Sequence, residues 1–362
     1  MMGARGDAGL GPISAAVCNF NGREHLPSCL SALQAQTRAL DETLVVDNAS
    51  SDGGRELVAR DFPTARVIGL ASNDGPCPAR NRGLADARNE WVLLVDNDAV
   101  LAPDALEKLE RAALAHPQAA LIQPRSVVVS DPRTVHYDGG ALHYCGLFSL
   151  RNFYVPLERA EGRGVVEVGG AVSVVLLCRR SVLLEIGAFD ADYFILFEDL
   201  DLSLRLRMAG HTLVSVEDAL CFHRGGTPGI SYRGPIDYPQ RRAFLHSRNR
   251  WLHLLKNHSL RTLVLTAPGL FAYEFVWAAF TLRSGTFGAY VKGKWALARG
   301  LRATLAKRRS VQARRVLRDR DLLVGGPLTI APQLRGGGAT SALLGVLDRC
   351  LDAWWRIVRG AC

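Results

Sequence analysis

Residues 91–98 read WVLLVDND, an apolar run from Trp91 to Val95 that closes on Asp96-Asn97-Asp98. Apolar residues without alternation suit a strand buried on both faces, and five residues is strand length. Working outward, the same signal recurs. Upstream, Ile13–Phe20 (ISAAVCNF) is an apolar run ended by Asn21-Gly22, and Thr43–Val46 is a second, closed by DNASSDGG. Ala65–Leu70 is a third strand, and helical spacing predicts helices over Leu26–Gln36, Arg55–Asp61 and Asn81–Arg88. Downstream, Ala102–Ala115 is a helix with Pro103 and Asp104 in its first turn, where both are favoured. Strands alternating with helices imply an α/β fold, a mostly parallel sheet covered by helices on both faces. Ligands of such sheets bind at the carboxyl ends of the strands, so Asn19–Asn21, Asp47–Asp52 and Asp96–Asp98 should converge on one cleft.

Beyond residue 125 the pattern loosens. Residues 126–168 read as a long irregular loop. Ala171–Cys178 is an apolar strand, Ser181–Ile186 is helical, and FEDLDLSLRLRMAG reads as a helix stopped at Gly210. Thr212–Val216 closes the sheet region. After His223 come a basic helix over Ala243–Lys256 and Thr262–Leu282, which is apolar but for Glu274. A basic block, a glycine-rich gap at Gly336–Gly338 and an amphipathic piece through Trp354 and Trp355 complete the chain. These changes of character divide it into a 12–257 domain and a C-terminal helical region, 258–362.

The 362 residues carry a formal charge of +9, concentrated between Arg283 and Arg320, where twelve Lys/Arg face one acid, Asp319. Such a block attracts anionic surfaces. The eight cysteines form no CxxC pair, which argues against a thiolate zinc site, and they read as reduced thiols of a cytosolic protein. Residues 1–12 are glycine-rich without the apolar core of a signal peptide.

Five features carry candidate chemistry, each with a plainer alternative. Asp96 and Asp98, one residue apart at a strand end, can reach a hard divalent cation and through it a diphosphate; DND is equally good turn chemistry. Glu198, Asp199 and Asp201 offer a general base for a hydroxyl proton, or simply an acidic first helical turn favoured by the helix dipole. His223, in ALCFHRGG, is a metal ligand or a buried histidine. Asp47 can accept hydrogen bonds from a nucleobase or close an Asx turn, and Arg80 can meet a phosphate or remain a surface arginine.

Taken in order, AAVCNFNG, LVVDNASSDGG, NDGPCPARNRGLADA, WVLLVDNDA, Gly187–Phe194, FEDLDLSLRLRMAG and FHRGG resemble the family 2 glycosyltransferases of GT-A fold, over roughly residues 12–260. Among these the chain is most similar to bacterial rhamnosyltransferases and related cell-envelope enzymes. The resemblance implies an inverting transfer from a UDP- or dTDP-linked sugar, rhamnose for example, to a glycan or polyprenyl-linked acceptor. It makes Asp199 the general base. Asn19, Phe20, Asp47, Arg80 and Asp96 become nucleotide-sugar contacts, and Asp96, Asp98 and His223 ligands of Mg²⁺ or Mn²⁺. The chain departs from the family pattern at Cys18, where threonine is common, and at NDGPCPARN, whose two prolines replace a smaller glycine-rich loop.

A nucleotidyltransferase would use similar acids, but the N-terminal glycine fingerprint with a trailing lysine is missing. A degenerate sugar-binding protein would be expected to lack one of the acids. Nucleic acid is not an expected partner, because aromatic interleaving in the basic block is thin and no binding module is visible. An anionic membrane surface fits that block better. Glu274 and Pro268-Gly269 argue for an interfacial, re-entrant or buried 262–282 segment, and the following helix has an amphipathic, in-plane character. The expected location is the cytoplasm, peripheral on the inner face of the cell membrane.

Overall fold

A computed structural model of the chain describes residues 9–227, 229–232, 237–334 and 337–362. Residues 1–8 of the glycine-rich start, and Gly336 of the glycine-rich gap, lie outside the described residues. In chain order the elements are β1 (Ile13–Asn19), α1 (Leu26–Gln34), β2 (Glu42–Asp47), α2 (Gly54–Asp61), β3 (Arg66–Gly69), α3 (Pro76–Asp86), β4 (Trp91–Asp96), β5 (Ala99–Leu101) and α4 (Ala105–Ala115). Next come β6 (Ala119–Val128), β7 (Asp131–Tyr137), β8 (Gly140–His143), β9 (Leu147–Leu150), β10 (Val165–Val168), β11 (Val175–Arg179), α5 (Arg180–Glu185), α6 (Glu198–Met208) and β12 (Thr212–His223). The last are α7 (Gln240–Asn257), α8 (Leu260–Arg283), α9 (Phe287–Arg299), α10 (Leu301–Ala313), α11 (Asp319–Leu322), β13 (Leu323–Val324) and α12 (Gly338–Val358).

The chain divides into two units that interleave in sequence. Unit one holds the chain to Gly139, Tyr154–Phe194 and Thr212–Arg224; unit two holds Gly140–Phe153, Ile195–His211 and Gly225–Cys362. The boundary expected at residue 257 falls inside unit two.

Unit one is built on a sheet ordered β10-β12-β6-β11-β4-β1-β2-β3, with β5 on β12 and β7 on β6. The run β4-β1-β2-β3 is parallel throughout, as the strand–helix alternation requires. Antiparallel β11 then joins β4 to β6, and β6 and β12 are again parallel. Leu93, Ile13, Leu106 and Leu109 are fully buried in the core between the sheet and α1 and α4. Truncating such a leucine to alanine costs about 2–5 kcal/mol.

Two expectations are corrected here. Residues 126–168 hold the end of β6 and four further strands: β7 turns back on β6 as a hairpin, and β10 pairs with β12, far downstream in sequence. The helix predicted from Asn81 begins at Pro76, since proline at a first helical position lacks only a donor that the helix leaves unused.

Unit two is mainly helical, with a small β13-β8-β9 sheet. Tyr144, Leu200, Leu204, Leu254, Leu270 and Trp355 form its core. Pro268 lies inside α8 without ending it.

Candidate active site

Parallel pairing fixes the floor of the site. β1 sets Asn19 opposite Asp47 on β2, and Cys18 opposite Asp96 on β4, so three polar strand ends meet as expected. Asn19 ties them together. Its Nδ2 donates to Asp47 Oδ2 at 2.8 Å, and its Oδ1 accepts from Asn97 Nδ2 at 2.7 Å. Asp47 is fully buried, and its other oxygen accepts from the Ser50 N–H at 3.0 Å and from Arg55 Nε at 2.9 Å. A Cβ at Gly22 would lie 1.9 Å from Asn97 Nδ2 and 2.4 Å from Asn19 Oδ1, so a side chain there would displace this bracing pair. Phe20 stands half exposed at the end of β1. Burial pushes the Cys18 thiol up to about 12, so the residue that replaces threonine stays protonated.

β5 pairs antiparallel with β12, setting Ala99 opposite His223, and the Arg224 N–H donates to the Asp98 carbonyl at 3.1 Å. This return of the chain brings His223 Nε2 to 3.4 Å from Asp98 Oδ1. One ligand atom each from Asp96, Asp98 and His223 lies within 4.8 Å of the others, a spacing that three ligands of one cation can share. Two carboxylate oxygens and an imidazole nitrogen are donors suited to Mn²⁺ and, through the oxygens, to Mg²⁺.

Arg80 lies under this cluster. It is buried, and its Nη2 donates to Asp96 Oδ1 at 2.8 Å and to the Ser173 carbonyl at 2.9 Å. Its guanidinium sits 5.3 Å from the centre of the Phe189 ring. Here the arginine read as a phosphate or base contact is bound to an acid of the cluster. Withdrawal from water pushes the Asp96 carboxyl up, Arg80 pulls it down, and the neighbouring charge of Asp98 adds to the rise. A bound cation would favour the ionised form.

The sequence reading passed over three further residues. His136, on β7, is buried with its Nδ1 3.2 Å from Nδ1 of His223. It lay in the stretch read as loop, where nothing marks a lone histidine. Asn97, between the two acids, braces Asn19. Asn81 of α3 clasps the Phe189 backbone, donating to its carbonyl at 2.8 Å and accepting from its N–H at 2.9 Å.

Asp199 belongs to unit two, in the first turn of α6. The three neighbouring carboxylates differ sharply. Asp201 is fully buried between Lys256 Nζ at 2.7 Å and Arg205 Nε at 2.8 Å, with Asn257 Nδ2 at 2.7 Å. Against the cost of burial, Lys256 and Arg205 hold its carboxyl far below the usual range. Glu198 is buried as well. Asp199 is half-buried, and its Oδ1 accepts from the Leu200 N–H at 2.8 Å. The turn before it is strained: Leu196 and Phe197 have φ of 70° and 75°, uncommon for such side chains. Buried Asn249 on α7 pins that turn, donating to the Ile195 and Leu196 carbonyls at 3.0 and 2.8 Å.

A family model described as glycosyl transferase family 2 matches residues 14–187, which include Asn19, Asp47, Arg80, Asp96 and Asp98. The chain carries a family 2 glycosyltransferase domain. This glycosyltransferase is 28% identical over 256 residues to an N-acetylglucosaminyl-diphospho-decaprenol L-rhamnosyltransferase of Mycobacterium tuberculosis, a match covering 65% of this chain and 81% of that one. Its fold is similar to that of S. aureus TarS, with a TM-score of 0.50 at 16% identity over 97% of this chain and 55% of that one. It is also similar to GalNAc-T7, solved with UDP, GalNAc and Mn²⁺, with a TM-score of 0.50 at 15% identity over 68% of this chain and 50% of that one. The glycosyltransferase thus spans about half the length of each of these solved chains, and at such identities the likeness is one of GT-A fold.

Proposed function

We propose that the protein moves a sugar, with inversion, from a UDP- or dTDP-linked donor to a glycan or polyprenyl-linked acceptor in cell-envelope polysaccharide synthesis, at the cytoplasmic face of the membrane. The observation that carries this reading is the cluster of Asp96, Asp98 and His223 at the carboxyl edge of β1, β2 and β4, inside a family 2 glycosyltransferase domain. The M. tuberculosis relative, named for rhamnosyl transfer to a decaprenol-linked sugar, supports rhamnose as the donor sugar and a lipid-linked acceptor.

In this reading an acceptor hydroxyl oxygen attacks the anomeric carbon as the bond from that carbon to the diphosphate breaks. The proton goes to the Asp199 carboxylate, and the nucleoside diphosphate leaves. Asp96, Asp98 and His223 would hold Mg²⁺ or Mn²⁺, which supplies positive charge against the leaving diphosphate. Arg80 keeps the Asp96 side chain fixed from below. Asn19, Phe20 and Asp47 form the edge at which the nucleoside would rest, Asn19 holding Asp47 in place. Incubating the full chain with a panel of nucleotide sugars and following nucleoside diphosphate release tests the proposal. Hydrolysis of one donor class supports it, and inertness toward every donor with Mn²⁺ present counts against it.

A further inference from the structure

We propose that unit two docks on an anionic lipid surface through an outer face of α8 and α9, with α8 lying in the membrane plane and not across it. The proposal rests on the reading of a membrane-borne acceptor. Its evidence is the exposed side of these helices.

At roughly 100° per residue, Leu260, Val264, Phe271, Phe275 and Leu282 fall within about 60° of arc on one side of α8. All five are exposed, Phe271 by 63% and Phe275 by 76%. No charged residue interrupts the exposed surface of α8 from Val264 to Leu282, and Arg261 and Arg283 stand at its two ends. Neighbouring α9 repeats the pattern. Phe287, Val291 and Trp295 are exposed along one stripe, bordered by exposed Lys292 and Arg299, and the Arg299 guanidinium lies 4.4 Å from the centre of the Trp295 ring. Exposed apolar stripes of this size on adjacent helices mark an interaction surface.

Charge identifies the occupant. From Leu260 to Arg318 the sequence has one acid, Glu274, and it is turned inward, taking Arg250 Nη1 at 2.6 Å, Lys294 Nζ at 2.5 Å and Trp251 Nε1 at 2.5 Å. Part of the basic block is also internal: Arg308 donates to the Leu255 and His258 carbonyls, and Arg315 pairs with Asp319. Lys292, Arg299, Arg302 and Arg309 remain exposed. Apolar side chains bordered by cations, without an exposed acid, complement an anionic headgroup layer over acyl chains.

The buried side fixes the orientation. α8 has the length and hydropathy of a membrane span, yet it packs on α7 and α9 through Glu274, Arg250 and Lys294. Crossing the bilayer would carry those charges, with Lys292 and Arg299, into hydrocarbon. Lying in the plane leaves them at or above the headgroups.

The test is flotation of the full chain with phosphatidylcholine vesicles, and with phosphatidylcholine–phosphatidylglycerol vesicles, at low salt. Binding is expected on the mixed vesicles and should be released by high salt and alkaline carbonate. A Phe271→Ser/Phe275→Ser variant and a Lys292→Gln/Arg299→Gln variant should each bind about tenfold more weakly or worse. Both should keep the wild-type melting temperature and donor hydrolysis. Equal flotation on both vesicle types, no flotation, or wild-type flotation of both variants overturns the docking face. Resistance to carbonate overturns the in-plane orientation. A wild-type dimer that the phenylalanine variant dissociates, with flotation unchanged, assigns the face to a second copy. Absence of donor hydrolysis in the wild type counts against the catalytic reading and leaves the flotation result standing.

Discussion

Nδ1 of His136 stands 3.2 Å from Nδ1 of His223, whose Nε2 points at Asp98. When one Nδ1 accepts, the other must donate, so the tautomers of the two rings are coupled. With His136 accepting, Nε2 of His223 is left as a lone pair for a cation. Ring partners of this kind orient metal-bound histidines, and losing one typically lowers metal affinity by about 10- to 100-fold. His136→Ala should weaken Mn²⁺ binding in calorimetry by that range, and His136→Asn, which keeps an acceptor, by less. Unchanged Mn²⁺ affinity in His136→Ala would remove His136 from the site.

The carboxylates of α6 should separate by function. Asp199→Asn should still bind donor but lose kcat by a factor on the order of 10²–10⁴. Glu198→Gln should be milder. Asp201→Asn should act on folding: removing one partner from a buried ion pair costs about 3–5 kcal/mol, because Lys256 and Arg205 are left uncompensated. Calorimetry, transfer rates and melting temperatures of the three variants decide. A dead Glu198→Gln beside a normal Asp199→Asn moves the base by one residue.

Unit two should be acid-sensitive. Burial holds His143 and His258 neutral, each lowered to about 4. His143 accepts the Cys145 N–H at Nδ1, with Nε2 against the Gly325 carbonyl at 2.7 Å, an arrangement that suits a neutral ring. Between about pH 6.5 and pH 4 the unfolded chain binds protons at these histidines that the folded chain does not. Stability from each is therefore complete above pH 6.5 and falls as pH drops, by up to on the order of 3 kcal/mol per residue. Urea midpoints from pH 7 to pH 4.5 should fall accordingly, and His143→Gln should flatten the slope by about one proton. A flat profile in the wild type contradicts the neutral, buried rings.

Much of this was legible in the sequence, where local signals and tertiary structure agree. Residues 91–95 read as a strand buried on both faces and lie at the centre of the unit-one sheet, and the three polar strand ends converge as strand polarity predicts. β7 was missed because Asp131-Pro132-Arg133 breaks its apolar pattern although it is the hairpin partner of β6, and β10 because its partner β12 is distant in sequence. β12 was cut short at Val216 because Glu217-Asp218 interrupts the apolar run, where the ladder shifts register and continues to His223. The arrangement of Asp96 and Asp98 was readable from spacing. Arg80 under Asp96, and His136 behind His223, were not, since each contact joins residues whose local sequence carries no sign of the other.

The central claim is a sugar transfer that depends on a cation held by Asp96, Asp98 and His223. The direct measurement is nucleoside diphosphate release from the preferred donor by metal-stripped protein, in excess EDTA and after Mn²⁺ is restored, beside Asp98→Ala. The account predicts loss of turnover in EDTA, recovery with Mn²⁺ or Mg²⁺, and an Asp98→Ala protein that neither recovers nor binds nucleoside diphosphate. Full turnover in excess EDTA, or an Asp98→Ala enzyme as active as the wild type, would contradict it.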